Sequence, residues 1–396
     1  MHHPLVIDRI RLAIDSRLKL LYYTGNVTGN DNISGLRPTR RPIRTGPINM
    51  INRRSAIKQV ASEAGVAVST VSRVLNNHPD VSSDTYERVK AIIDRLGFQP
   101  NAAARSLVMK RSNFIALITS DIEIYPQSIL AQVEHQVRKL GYKLLVRVID
   151  TSYPHPDSAD LRLLDELMAY QVSGIIWAVE ETSTSHTYWN QKFSQCSIPV
   201  VCISSGKISS VPFVSVDNHY GGLIATQHLI QQGYRHIGLI TGPLETLVAQ
   251  ERKAGWEQAL QEARLSAGLE QIVEGDWDAP SGETGLRQLL DKFPQMDAVF
   301  ISNDQMALGA LWAAHTAGRR VPETLGIVGF DNSPTTEYFF PPLSSINHHF
   351  DELGLRAVQE IHRLINLSDD ERRTQTSEGI WIQPTLVARK SSLRNP

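Results

Sequence analysis

Most of the chain after residue 112 alternates short apolar runs with amphipathic stretches, and this alternation constrains the fold more than any other feature. The apolar runs are six to eight residues long, and the stretches between them repeat apolar residues at helical spacing. The runs span 114–120, 142–149, 174–179, 199–204, 236–242, 298–304 and 325–331, with helices such as 220–232, 249–262 and 305–317 between them. Strands that alternate with helices form parallel sheets covered by helices on both faces. The predicted fold class is therefore α/β.

The strands fall into two series that begin alike. FIALIT occupies 114–119 and HIGLIT occupies 236–241. Two similar series predict two similar lobes, and the space between two lobes is a common place for a small-molecule site. We therefore expect a ligand cleft between the lobes.

A different pattern precedes residue 110, where short helices follow one another closely. Three helices are predicted at 57–64, at 69–75 and from about Ser83 to Gly97, the last with a Ser82-Ser83-Asp84 cap. A four-residue joint separates the first two. That arrangement is typical of a helix-turn-helix, whose second helix enters the major groove of DNA.

The second of these helices consists largely of short, β-branched and hydroxyl residues, GVAVSTVSRVLNN at 65–77. Val71 and Val74 are spaced to face the first helix. The opposite face then carries Val68, Ser69, Ser72 and Arg73. Arg can bind guanine O6 and N7 through two hydrogen bonds, and Ser can bind base edges or phosphates. From the residues alone, the alternative is an ordinary three-helix interaction module.

The charge distribution favours a polyanionic partner for the first part of the chain. The net charge of −1 conceals +5 in residues 1–52, +5 in residues 53–111 and −11 in residues 112–396. A basic head on an acidic body suits nucleic acid. We expect a cytoplasmic protein with no membrane partner, because no run is long enough to span a bilayer and no signal peptide is recognisable. Cys196 and Cys202 are expected to be reduced thiols.

Residues 1–54 show no sustained periodicity after Leu21 and contain a stretch rich in Gly, Asn, Pro and Arg, which predicts disorder. Two explanations stay open. The segment is either a basic disordered arm or an extension upstream of a translation start at Met50. We favour the second, which mass spectrometry of the native N-terminus would test.

The segment IKQVASEAGVAVSTVSRVLNNHPDVSSDTYERVKAIIDRLGFQPNAAARSL resembles the DNA-binding head of the LacI/GalR family of bacterial transcription regulators. V-A-x-x-A-G-V, T-V-S-R-V-L-N, V-S, P-N and A-R-S-L stand at the family's spacing. GPL, AGW, GDW, NDQMALGA, LGIVGFDN and PPLSSI continue the resemblance, which covers about residues 55–390. It implies a helix-turn-helix head, a hinge helix and a two-lobed core similar to periplasmic binding proteins.

The resemblance assigns DNA contacts to individual residues of the head. It places Val68, Ser69 and Arg73 at base-reading positions and Thr70 and Ser72 near phosphates. Exchange of the first two residues between family members is expected to change the preferred operator.

The resemblance also implies a hinge helix over 101–110, with DNA contacts from Asn101, Ala104 and Leu107. A helix of about nine residues is marginal in water, so DNA and a second subunit would be needed to support it. Leu107 would insert into a minor-groove step. The alternative for Leu107 is a plain apolar anchor on the core.

The resemblance implies effector contacts from Arg252, Asn303 and Asp331, with Trp277 and Phe350 lining the pocket. A forked Arg, a carboxylate and an amide can pair with the vicinal hydroxyls of a sugar, and an aromatic ring can cover its apolar face. Each also has a simpler interpretation. Arg252 could pair with Glu251 on a solvated face, Asn303 or Asp304 could cap a helix, and Trp277 could belong to the core.

Three further pocket positions follow from the resemblance, namely Asp121, Ser204 and His348. Ser204 stands where an aspartate is expected and His348 where a glutamine is expected. A galactoside is the predicted effector, and a different sugar is the alternative.

No catalytic residue, metal site or cofactor is predicted. The chain has no phosphate loop, nucleophile elbow or metal-spaced His/Cys cluster, and Asp276 and Asp278 beside Trp277 are typical of a loop. The rival functions are a sugar-binding protein that does not bind DNA and a carbohydrate-acting enzyme. An apolar heptad tail after Lys390 is not recognisable, so a homodimer on a pseudo-palindromic operator is expected.

The resemblance to this family implies a transcription repressor that is released by a sugar and controls carbohydrate-utilisation genes. The predicted organisation is an extension at 1–54, a helix-turn-helix domain at 55–100, a hinge helix at 101–110 and a core at 111–390. Within the core, the N-lobe is predicted at about 111–216 and 349–378 and the C-lobe at about 217–348 and 379–390.

Overall fold

The computed structural model describes residues 53–75, 78–98, 112–120, 124–149, 162–180, 182–203, 211–373 and 379–394. The chain divides into two compact units between Phe98 and Gln99. The described part of the first unit is helical, and the second unit is α/β, as the two sequence patterns predict. No helix in the described ranges is long and apolar enough to cross a membrane.

The described part of the first unit contains three helices: α1 (Arg53–Ala64), α2 (Val68–Leu75) and α3 (Ser83–Leu96). The predicted ends of α3 are confirmed. The Ser82 hydroxyl accepts a hydrogen bond from the Thr85 N–H, and Gly97 takes the left-handed conformation that ends the helix. The three helices share a small core of Val60, Ala61, Ala64, Val71, Val74 and Val89.

The N-lobe of the second unit is built on a parallel sheet with the order β11-β5-β4-β3-β1-β2. Its strands are β1 (Phe114–Thr119), β2 (Lys143–Val148), β3 (Gly174–Ala178), β4 (Val200–Ile203), β5 (Phe213–Val216) and β11 (Ile380–Ile382). Helices α4 (Ile124–Lys139) and α11 (Phe350–Ile365) pack on one face, and α5 (Leu163–Ala169) and α6 (Ser183–Ser194) pack on the other. A short helix, α12 (Asp369–Arg373), follows α11.

The C-lobe repeats this plan with the order β12-β10-β9-β8-β6-β7, in which only β12 is antiparallel to its neighbour. Its strands are β6 (Ile237–Thr241), β7 (Ile272–Glu274), β8 (Ala298–Ile301), β9 (Gly326–Asp331), β10 (Ser344–Asn347) and β12 (Thr385–Val387). Helices α7 (Asn218–Gln231) and α8 (Leu247–Glu262) cover one face, and α9 (Ala279–Lys292) and α10 (Asp304–Thr316) cover the other.

The two similar lobes predicted from FIALIT and HIGLIT are present. These segments form β1 and β6, and each is fifth in the strand order of its sheet. The five strands β1–β5 and the five strands β6–β10 also occupy matching places in the two sheets. The internal similarity of the sequence therefore reflects a duplicated topology.

The chain passes between the lobes three times, at the same edge of both sheets. The crossings join β5 to α7, β10 to α11 and β11 to β12. One boundary differs from the sequence expectation, which assigned 379–390 to the C-lobe. Because Ile380–Ile382 pairs with Val214–Val216 in the N-lobe sheet, the third crossing lies between residues 382 and 385. A three-residue edge strand carries too little pattern to reveal which sheet it joins.

Candidate functional site

Helix α2 exposes the face that sequence analysis assigns to DNA. Val71 is 0% exposed and Val74 is 3% exposed, whereas Val68 is 41% exposed. Ser69 and Arg73 are exposed as well. A large apolar side chain is left in solvent here beside a hydroxyl and a guanidinium. This combination suits a major groove, where methyl groups, base edges and phosphates all offer contacts.

The turn before α2 brings the first two helices into contact. Gly65 has φ 64°, and the Val66 N–H donates to the Ala61 carbonyl oxygen at 3.0 Å. Glycine adopts this left-handed backbone without strain, so the chain reverses tightly. Thr70 and Ser72, the predicted phosphate contacts, are half-buried on α2.

Five predicted contacts fall outside the described residues. They are Asn101, Ala104 and Leu107 of the hinge segment, and Asp121 and Ser204 of the pocket. Their roles in binding DNA or effector stay predictions.

Arg252 is the central cation of the C-lobe site. It is 4% exposed on α8, its Nε donates to the Asn218 side-chain oxygen at 2.9 Å, and a terminal nitrogen donates to the Ser302 carbonyl oxygen. Its guanidinium carbon lies 3.8 Å from the centre of the Phe330 ring. This burial excludes the solvated helix face that the residues alone had left open. The guanidinium is held in one orientation by α7, β8 and β9.

His348 connects Arg252 to Asp331. The Nδ1 atom of His348 lies 3.0 Å from an Asp331 carboxylate oxygen, and its Nε2 atom lies 3.4 Å from a terminal nitrogen of Arg252. Since a guanidinium can only donate, Nε2 must accept. The proton is then on Nδ1, which donates to Asp331. A carboxylate, an imidazole and a guanidinium thus form one chain at the carboxyl ends of β9 and β10.

Burial controls the charges of this chain. It lowers the pKa of His348 well below its ordinary value, and the nearby Arg252 charge lowers it further, so the imidazole is neutral at pH 7. Burial raises the pKa of Asp331 to about 7, against the opposing effect of Arg252. The pKa of Asp304 is also raised, by burial and by the neighbouring Asp331 carboxylate. The site therefore has little net charge.

Asn303 and Trp277 are joined to each other next to Arg252. The Asn303 side-chain oxygen accepts from the Met306 N–H at 2.8 Å and caps α10, as the simpler interpretation proposed. Its amide nitrogen donates to the Trp277 carbonyl oxygen at 2.8 Å. The Arg252 guanidinium carbon is 5.6 Å from the centre of the Trp277 ring, and the Trp277 side chain also packs partly on the C-lobe core. Trp277 is therefore a wall of the site as well as part of the core.

Phe350, the first residue of α11 after the second crossing, lies next to His348. Its ring centre lies 5.0 Å from that of His348, and its side chain packs partly on the N-lobe core. The structure thus brings together all six described pocket positions of the sequence analysis, which are Arg252, Trp277, Asn303, Asp331, His348 and Phe350.

Three further residues position this site and were not predicted from the sequence. Asn218 and Phe330 contact Arg252 directly, and Ser302 offers it a backbone carbonyl. A backbone acceptor has no sequence signature, and an asparagine just after the helix cap Asp217 resembles any other residue of a first turn.

The remaining carboxylates near Trp277 have structural roles. Asp278 caps α9 by accepting from the Ser281 N–H at 2.8 Å, and the Ser281 hydroxyl lowers the pKa of Asp276 by hydrogen bonding. The loop interpretation is therefore confirmed. Among the described residues, no group of three His, Cys, Asp or Glu side chains could hold a metal ion.

Two family models match the chain. "Bacterial regulatory proteins, lacI family" matches residues 56–101, and "Periplasmic binding protein-like domain" matches residues 226–392. The HTH-type transcriptional repressor PurR of Actinobacillus pleuropneumoniae serotype 3 (strain JL03) is 33% identical over 342 residues, which cover 85% of this chain and 98% of the relative. Catabolite control protein A of Priestia megaterium is 31% identical and covers 78% and 92%.

Solved structures agree with these relatives. The lac repressor dimer bound to operator and the anti-inducer ONPF has a TM-score of 0.74 at 28% identity, covering 85% of this chain and 98% of that one. The transcriptional regulator CelR in complex with cellobiose has a TM-score of 0.63 at 30% identity, covering 85% and 99%.

A helix-turn-helix and a two-lobed core of periplasmic-binding type together define a class of protein, the ligand-responsive DNA-binding regulators. The chain belongs to the LacI family of bacterial regulatory proteins, as a DNA-binding transcriptional repressor with a ligand-binding core.

Proposed function

We propose that this protein represses carbohydrate-utilisation genes as a homodimer on a pseudo-palindromic operator and leaves the DNA when a neutral sugar binds between the lobes. It would act in the cytoplasm, where the bacterial chromosome lies. One observation carries the choice of ligand, the buried chain from Arg252 through His348 to Asp331.

The charges of the chain favour a neutral ligand over an anionic one. Arg252 is the cation of the described pocket, and the Asp331 carboxyl, two hydrogen bonds away, balances part of its charge near neutral pH because the pKa of Asp331 is about 7. His348 is neutral at pH 7 and therefore adds no positive charge. Where Asp331 is ionised, an anionic ligand such as a sugar phosphate would add a second negative charge beside a single buried cation, whereas a neutral ligand would not. Vicinal hydroxyls, which donate and accept, match a guanidinium beside a carboxylate.

A galactoside is the first candidate and cellobiose the second. The galactoside rests on the resemblance of GPL, AGW, GDW and NDQMALGA to the family. Cellobiose enters because it is the ligand named in the CelR complex.

A gel shift with the full chain and the DNA upstream of its own gene tests both halves of the proposal. Lactose, allolactose, galactose and cellobiose are added in turn. One of them should weaken DNA binding by roughly 5- to 150-fold, the usual range of allosteric coupling. Binding without sugar should weaken steeply with salt, because the head contacts phosphates. A DNA complex that no sugar alters would refute the inducer, and the absence of a complex would refute the operator.

A matched pair of variants separates the pocket from the head. Arg252→Lys keeps the charge but loses the fork that bonds Asn218 and the Ser302 carbonyl, so DNA should still bind and the sugar response should be lost. Arg287→Lys changes an exposed arginine of α9, which pairs with Glu283, and should keep both properties. The rival enzymatic function predicts hydrolysis of a galactoside, which a product assay would detect.

The dimer is supported by apolar side chains left in solvent on the C-lobe. Leu308 and Trp312 lie one turn apart on α10 and are 42% and 57% exposed. In the segment after β9, Tyr338 is 80% exposed and Phe340 is 94% exposed. Four large apolar side chains exposed to solvent in one lobe are typical of a protein-protein interface.

Trp312→Asp should therefore shift the protein from dimer to monomer in light scattering and weaken operator binding. Leu269→Asp is the control, because Leu269 is 87% exposed on a separate short helix after α8. If both variants stay dimeric, α10 does not form the interface. A stable tetramer in the unsubstituted protein would refute the dimer itself.

A further inference from the structure

One backbone contact joins the two lobes where the chain does not cross. Thr182 of the N-lobe forms an isolated antiparallel bridge with Thr246 of the C-lobe. Thr182 immediately precedes α6, and Thr246 immediately precedes α8. The connections that follow β3 and β6 therefore meet across the cleft.

The position of this bridge distinguishes it from the crossings. All three crossings lie at the edge formed by β11 and β5 in one sheet and by β12 and β10 in the other. β3 is fourth from that edge and β6 is fifth from it. With strands about 4.8 Å apart, the bridge joins strands roughly 14 Å and 19 Å from the hinge edge. It thus closes the side of the cleft that the hinge leaves open.

Each end of the bridge is held firmly by its own lobe. The Thr182 hydroxyl accepts from the Ser185 N–H at 3.1 Å, and the Thr182 N–H donates to the Ser185 hydroxyl at 3.0 Å. Thr246 is 4% exposed, and its hydroxyl and N–H both donate to the Pro243 carbonyl oxygen, at 2.8 Å and 3.0 Å. These bonds fix each threonine in the turn at the start of its own helix, α6 or α8. When the lobes separate, the bridge must break.

The bridge is connected to the ligand site through one helix. Arg252 lies on α8, six residues after Thr246. We propose that the Thr182–Thr246 bridge is a latch, which closes the cleft over a ligand held at Arg252 and must open for the ligand to enter or leave. The ligand's identity rests on the proposed function, but the latch itself does not.

A disulfide tests the latch directly. Opposed residues of an antiparallel pair have Cα atoms about 4.5–5.5 Å apart, which is within the range that a disulfide spans. Thr182→Cys and Thr246→Cys are combined with Cys196→Ser in the full chain, while Cys202 is buried and stays. We expect the disulfide to form in the folded protein without sugar. Oxidation should then slow both association and dissociation of lactose or cellobiose at least tenfold, and dithiothreitol should restore both rates.

Each single cysteine variant, oxidised in the same way, is the control and should exchange sugar at the unsubstituted rate. Failure of the disulfide to form would overturn the latch, and so would a disulfide that leaves sugar exchange unchanged. If the unsubstituted protein binds no sugar, the proposed function fails separately. The latch is then tested by amide hydrogen exchange around Trp277. Oxidation should slow this exchange, and an unchanged exchange rate would contradict the latch.

Discussion

Gly222→Ala should disable the ligand site from a position that does not contact the ligand. Gly222 lies on α7 where α8 crosses it, and an added Cβ would stand 2.2 Å from the backbone oxygen of Arg252. Gly255 lies on α8 and faces α7, and an added Cβ there would stand 2.1 Å from the backbone oxygen of His219. These obstacles are backbone atoms, which cannot rotate away. The two helices must therefore separate by about 1 Å or more, since ordinary contact between such atoms begins near 3.4 Å.

The expected loss of stability follows from two opposing free energies, and the expected loss of sugar affinity follows from the movement of the helices. Overpacking costs about 1–3 kcal/mol, and replacing glycine by alanine inside a helix returns about 1 kcal/mol, so the net loss of stability is about 0–2 kcal/mol. Separation of the helices also stretches the 2.9 Å bond from Arg252 to Asn218 beyond hydrogen-bonding range. Bonds to charged groups contribute about 1.5–3 kcal/mol, so sugar affinity should fall at least tenfold.

Urea unfolding followed by circular dichroism measures the stability, and titration with lactose or cellobiose measures the affinity. Gly285→Ala is the matched control. It is also a buried helical glycine, but an added Cβ there meets only side-chain atoms, the nearest 3.2 Å away on Ile240. Gly285→Ala should keep its sugar affinity and unfold at or above the unsubstituted urea concentration. If Gly222→Ala behaves like the control in both assays, close contact of α7 and α8 does not position Arg252.

The remaining predictions concern DNA recognition and pH. Arg73→Ala should weaken operator binding by about 1–3 kcal/mol through one base pair, whereas exchange of Val68 and Ser69 should change which operator is preferred. Selection from a randomised operator library measures both effects. Unchanged base preference in all variants would contradict base reading by this face of α2. Between about pH 4 and pH 7, the folded state keeps a proton on Asp331 that the unfolded chain has released, so this residue's contribution to stability falls as pH rises. Asp331→Asn should therefore gain stability relative to the unsubstituted protein from pH 5 to pH 8, and a constant or falling difference would contradict a raised pKa.

Strands that are buried on both faces were predictable, because such burial requires an uninterrupted run of apolar residues in the sequence. The run at 325–331 forms β9, which is buried throughout, and 298–304 contains β8. The strands β5, β7, β10, β11 and β12, of three or four residues each, were not among those predicted. None of these strands contains more than three consecutive apolar residues, whereas β4 and β8, which are equally short and were predicted, each contain four.

Part of the candidate ligand site was likewise predictable from the sequence, and part was not. Arg252, Asn303 and Asp331 were assigned to the pocket by resemblance, and their residue types already suggested hydrogen bonding to hydroxyls. Sequence spacing could not show that His348 bridges Arg252 and Asp331, which stand 96 and 17 residues away from it.

The sequence by itself determined the class of fold, the exposed face of α2 and the duplicated order of the lobes, because each depends on periodicity or capping within a few consecutive residues. Only the tertiary structure decided the charges of the pocket, the N-lobe position of Ile380–Ile382 and the bridge from Thr182 to Thr246. The physical reason is range. Burial, desolvation and backbone pairing arise between residues that the fold brings together from distant parts of the chain, and local patterns contain no record of them.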